Sequence, residues 1–199
     1  PFIFFKFFIL SITLKYIYLI SFYQIEEKKF PDETRRLLVD SLKDQYKKLD
    51  VSSQVKDNLS LLSETNTFTI TTGHQLNIFS GPLYFIYKIV TTINLCSRLK
   101  KQFPGYNFVP VYWMASEDHD FDEIKSFNLF GKKYTWETDQ TGAVGRFDTK
   151  GIERVLEDLP EKIEIFQKAY GESRMLAEAT RYFTNELFGQ YGLIIIDEP

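Results

Sequence analysis

The stretch TFTITTGHQLNIFSGPLYFIYK, residues 67–88, changes character twice. Its first six residues are β-branched and alternating, which predicts a strand over 67–72. Gly73-His74-Gln75 follows, and the connection runs on to Ser80-Gly81. Pro82 suits a first helical position, where its missing N–H does no harm. The apolar periodicity beyond it predicts a helix over 83–101, and Lys100 and Lys101 suit that helix's negative end. The unit is therefore strand, polar loop, helix.

A second unit of the same kind follows. VPVYWMA, residues 109–115, is a nearly continuous apolar run and predicts a buried strand, with Tyr112 and Trp113 in the core. SEDHDFDEI comes directly after it. KSFNLFGKKYTWE, residues 125–137, predicts a hairpin turning at Gly131-Lys132, and residues 142–145 predict a loop. Helical patterns occupy 152–170 and 175–191, and GLIIID predicts another buried strand. Upstream, residues 33–49 and 51–63 carry two amphipathic helical patterns. Strands alternating with helices predict an α/β fold with an open parallel sheet and flanking helices. The terminal strand has no crossover helix after it, which predicts a fragment lacking a C-terminal part.

Composition narrows the function. The chain has 199 residues, with 24 basic and 27 acidic, for a formal charge of −3. Nucleic-acid binding favours a basic stripe, so no nucleic-acid partner is expected. Cys96 is the single cysteine. It permits no internal disulfide and reads as a small core residue in a reducing compartment. Residues 1–21 are apolar and aromatic, broken by Lys6 and Lys15. A membrane anchor, a buried element and a product of a wrong reading frame or start all fit this segment; Lys15 near its centre opposes the first. The third is preferred, and no membrane association is expected.

In open α/β sheets, ligands bind beyond the C-terminal ends of the strands. Both polar clusters lie there. Gly73, His74, Gln75 and Asn77 follow the first strand, and Ser80-Gly81 before Pro82 leaves N–H groups at a helix start, where an anion would fit. The plainer reading is a capped turn whose His74 binds its own backbone. Glu117, Asp118, His119 and Asp120 follow the second strand. They suit acid–base chemistry at His119, or an acidic helix start favoured by the macrodipole. The spacing matches no dense metal-binding signature, so no metal is assigned, and neither a dinucleotide fingerprint nor a P-loop is present. Tyr84, Tyr87 and Lys88 fall on the first turns of the helix. Lys88 could counter a bound anion, although a solvated lysine is the plainer reading. Arg146 in TGAVGRFD could clamp a carboxylate from its loop.

Taken together, TTGHQLNIFSGPLYFIYKIVTTINL, FVPVYWMASEDHDFDEI, TGAVGRF and ATRYFTNELFGQYGLIIID resemble the cysteine-adding enzymes of bacillithiol biosynthesis. The resemblance runs from about residue 22 to the end; residues 1–21 do not resemble the family's start. It implies a Rossmann-like core over 22–199, truncated before a helical coiled coil that supports a homodimer. It also implies a cytoplasmic ligase joining cysteine to glucosaminyl-malate, for which this fragment alone is inactive. A nucleotide co-substrate is chemically plausible for activating the carboxylate, and no cofactor is assigned. On that footing His74, His119 and Asp118 are candidates to take the amine proton. Gly73, Gln75, Asn77, Ser80, Gly81, Tyr84, Glu117, Asp120 and Arg146 are candidates to hold substrate. A different Rossmann-type transferase, such as a nucleotidyltransferase, and a non-catalytic binding module are the alternatives.

Overall fold

The computed structural model describes residue 17, residues 19–21 and residues 23–197. Most of the apolar run at 1–21 lies outside the described residues. Residues 23–27 are helical, and the helices α1 (Asp32–Tyr46) and α2 (Ser53–Leu61) follow. Ser52 caps α2 by accepting a hydrogen bond from the Val55 N–H at 3.2 Å, as N-cap serines do. Strand β1 (Thr67–Gln75) leads through α3 (Leu83–Gln102) to β2 (Asn107–Ala115). A four-residue helix α4 (Phe121–Ile124) precedes the hairpin of β3 (Ser126–Leu129) and β4 (Lys132–Thr135). Helices α5 (Ile152–Glu157), α6 (Glu164–Glu172) and α7 (Leu176–Phe188) then return the chain to β5 (Ile194–Asp197).

The main sheet has the order β1-β2-β5, all parallel. Nine residue pairs join β1 to β2, from Thr67 opposite Asn107 to Gln75 opposite Ala115. Both faces are covered. On one, Val39, Leu42 and Tyr46 of α1 and Val55 and Leu59 of α2 pack on Val109, Val111 and Ile194. On the other, Phe85 and Ile89 of α3 and Phe183 of α7 join Tyr112, Met114 and Ile195. This doubly covered parallel sheet is the α/β architecture expected from the sequence.

Several local expectations change. Gly73, His74 and Gln75 belong to β1 and pair with β2, so the strand is three residues longer than its β-branched core. Helix α3 starts at Leu83, because Pro82 keeps an extended ψ of 148°. The pattern over 152–170 is two helices. Pro160 lies between them; it lacks an N–H and disfavours helix at the residue before it. The hairpin turns at Phe130-Gly131, both at positive φ, the geometry of a two-residue type I′ turn. Trp113 is 42% exposed, while Tyr112 is buried. Trp113 sits opposite Gly73, which has no side chain to cover it. Cys96 is buried, and burial pushes its thiol up to about 12, so it stays neutral.

One buried cation ties the N-terminal layer to the sheet. The Arg35 guanidinium on α1 donates to the carbonyls of Leu62 at 3.2 Å and Thr67 at 3.1 Å, and more loosely to that of Thr65. These carbonyls line the turn that enters β1. Arg35→Leu leaves them without their donor. It is expected to cost about 1–3 kcal/mol in urea unfolding with an unchanged m-value. A loss under about 0.5 kcal/mol would show that water replaces the guanidinium.

Candidate functional site at the C-terminal rim

Parallel pairing sets the two polar clusters side by side. Gly73, His74 and Gln75 end β1 opposite Trp113, Met114 and Ala115, and the acidic segment leaves β2 from that same edge. The connection is direct. The Gln75 side-chain amide donates to Asp118 Oδ2 at 2.9 Å and to Glu123 Oε2 at 3.0 Å. A single amide thus holds a carboxylate from the loop and another from α4. Asp118 Oδ1 also accepts from the Asp120 N–H at 2.9 Å. The Asp120 N–H first, and then Gln75, hold the Asp118 carboxyl below its ordinary range, because hydrogen bonds to a carboxylate favour its charged form.

His74 is half-buried. Its Nδ1 lies 3.1 Å from the Gln75 carbonyl and 3.1 Å from Asn77 Nδ2. That nitrogen donates to the first or accepts from the second, depending on the tautomer. The first arrangement is the backbone contact of the plainer sequence reading. Phe85 and Tyr84 meet the ring edge-on, with centroids at 5.8 Å and 6.0 Å. Burial, with Lys88 nearby, lowers the His74 pKa from its ordinary 6.5 despite the opposing bond to Gln75. The Tyr112 hydroxyl donates to the His74 carbonyl at 3.2 Å.

The connection between β1 and α3 is tightly wound. Phe79, Ser80 and Gly81 all have positive φ, at 53°, 62° and 52°. Gly81 lies against buried Asn77, where a Cβ would fall 2.2 Å from the Asn77 Cβ. The Phe79 N–H donates to the Tyr170 hydroxyl at 2.8 Å, and the Gly81 N–H donates to the Ile78 carbonyl at 2.9 Å. The anion cradle expected at Ser80-Gly81 therefore lacks the Gly81 donor, which closes the turn instead.

The remaining candidates divide. Arg146 does meet a carboxylate, but it is that of Glu117, with Nη2 at 2.8 Å and 2.9 Å from the two oxygens. The loop that carries Arg146 docks closely: the Gly145 N–H donates to the Ser116 carbonyl at 2.8 Å, and the Val144 N–H to that of Asp118 at 2.8 Å. Asp120 caps α4 through the Glu123 N–H. Tyr84 is exposed beside His74. His119 is exposed on the turn and is not tied to His74 by this network. Among the described residues, no three acids, histidines or cysteines gather closely enough to hold a metal ion.

Sequence reasoning missed Glu123 as the second carboxylate on Gln75, since that residue carried no individual assignment, and Tyr112 as a rim donor, since its apolar strand reads as core. It also missed Asp197, which ends β5 opposite Met114 and pairs with Arg181 of α7 at 2.9 Å. An acid closing an apolar strand was the available signal. Two open hollows lie elsewhere. One, of about 670 Å³, lies between α5 and α6, and one of about 320 Å³ lies beside α2 and Tyr191; neither reaches the clusters.

Comparison with known proteins assigns the chain. A family model described as "Bacillithiol biosynthesis BshC, N-terminal Rossmann-like domain" matches residues 6–199. The chain belongs to the BshC family. A relative from Flavobacterium psychrophilum, named "Putative cysteine ligase BshC", is 51% identical over 188 residues, covering 88% of this chain and 35% of the relative. One of the same name from Cytophaga hutchinsonii is 51% identical over 173 residues, covering 87% and 33%. A more distant namesake from Natranaerobius thermophilus is 33% identical over 180 residues, covering 82% and 33%. This BshC chain thus spans about a third of the length of the curated relatives it matches. The Rossmann-like fold named by the family model agrees with the parallel sheet and its flanking helices. Among the described residues of the BshC chain, no helix is long and apolar enough to cross a membrane.

Proposed function

We propose that this chain supplies the rim of the active site in a carbon–nitrogen ligase that joins cysteine to glucosaminyl-malate. The observation that carries this reading is the Gln75 bridge, which joins the glycine-histidine segment to the acidic segment at one edge of the sheet. Membership in the BshC family supports it. Forming the amide requires an activated carboxylate and an uncharged amine. His74 is the base for that amine, because its pKa is lowered and its ring lies at the rim. His119 and Asp118 are further candidates; Asp118 is the weaker, since its depressed pKa makes it a poor proton acceptor. Gln75, Asn77 and the exposed acidic side chains suit sugar hydroxyls.

In the full-length protein, residues 22–199 form the N-terminal part of the core, and the enzyme works in the cytoplasm as a homodimer. Deleting the full-length gene tests the reading. Thiol profiling by mass spectrometry is expected to show bacillithiol lost and glucosaminyl-malate accumulating. Normal bacillithiol in the deletion strain would reject it.

A further inference from the structure

We propose that Lys88 is a positioning residue that fixes the end of β1 and sets a positive charge beside the His74 ring, rather than an anchor for an anionic substrate. Two contacts place it, and a third links it to His74. The Lys88 ammonium donates to the Gly73 carbonyl, the peptide group that leads directly into His74. It lies over the Tyr84 ring, 5.2 Å from the centroid. That ring in turn meets His74 edge-on at 6.0 Å. Lys88, Tyr84 and His74 therefore form one cluster between the start of α3 and the end of β1, with the lysine bridging helix and strand.

The physical consequence follows from charge. Burial is the larger reason that His74 resists protonation, and the nearby ammonium adds to it, because like charges in a half-buried setting repel. Other titratable groups flank this segment. Tyr84 approaches from α3, and Tyr112 donates its hydroxyl to the His74 carbonyl from β2. Asp118 and Glu123 are engaged by the next residue, Gln75. The carbonyl clamp adds orientation. It holds the end of β1 against α3, so the ring edge stays at the rim.

This inference rests on His74 as the base of the proposed reaction, but its first test needs no activity. The chain contains two histidines, so proton NMR of the ring Cε1–H groups resolves both, and His119→Gln assigns them. In the full 199-residue chain, Lys88→Met is expected to shift the His74 midpoint upward and leave that of His119 in place. Lys88→Arg, which keeps the charge, is expected to retain the low midpoint. An unchanged His74 midpoint in Lys88→Met would overturn the proposal, as would His74 and His119 shifting together.

In the full-length ligase, Lys88→Met is then expected to move the acid limb of kcat/KM to higher pH without raising KM for the dicarboxylate substrate. A raised KM with an unmoved limb is the signature of an anion anchor and would also overturn it. Should the ligase reading itself fail, thiol profiles would reveal that while the NMR result stood.

Discussion

His74→Gln in the full-length enzyme is expected to lower kcat/KM by about 10²- to 10⁴-fold, the range for removing a positioned general base. Glutamine is close in size and keeps a polar group near the Gln75 carbonyl and Asn77, so the rim stays folded while proton transfer is lost. The pH dependence has a definite sign. A base works in its neutral form, so kcat/KM rises with pH through the His74 pKa. Burial, chiefly, and Lys88 hold that pKa below 6.5, so the base is already free at pH 7. The acid limb is expected below the ordinary histidine value in the native enzyme and absent in His74→Gln. Activity within about threefold of native, with the limb intact, would remove His74 from the reaction and move the assignment to His119.

Gly81→Ala is expected to destabilise the chain by about 2–5 kcal/mol, combining backbone strain with overpacking. Gly81 has φ 52° and ψ −144°, a region that glycine alone occupies readily. The added methyl would also fall 2.2 Å from the Asn77 Cβ and 2.6 Å from its Cγ. Asn77 is buried and bonded to both the His74 ring and the Gln75 carbonyl, so it has little room to retreat. Gly171 in α6 provides the contrast. Nothing lies within 4 Å of its notional Cβ. Gly171→Ala is expected to be neutral or slightly stabilising, since alanine favours a helix over glycine. Urea unfolding measures both. A Gly81→Ala loss no larger than that of Gly171→Ala would mean that the turn rewinds freely.

The two glycines show how unevenly the sequence discloses its reasons. A glycine before a proline at a helix start was legible, as was the strand before it. That Gly81 must be glycine because Asn77 packs beneath it was not, since that contact depends on the fold of the turn. Arg146 makes the same point: its chemistry as a carboxylate clamp was readable, but the carboxylate it meets is Glu117, set by docking of its loop on the segment that follows β2. Trp113 was misread as core because its strand is apolar throughout. Its exposure arises from glycine across the ladder, a matter of register.

Local alternation and helical periodicity, unaided, determined the order of the main-sheet strands and their connecting helical regions, the parallel α/β architecture and the placing of both polar clusters at strand ends, because backbone preference acts over a few residues. Tertiary structure alone decided that Gln75 bridges Asp118 and Glu123, that Lys88 reaches the Gly73 carbonyl, and that the Gly81 N–H closes its own turn. The physical reason is reach. A hydrogen bond is made over about 3 Å, and which partner lies within that distance depends on strand register and helix docking rather than on spacing along the chain.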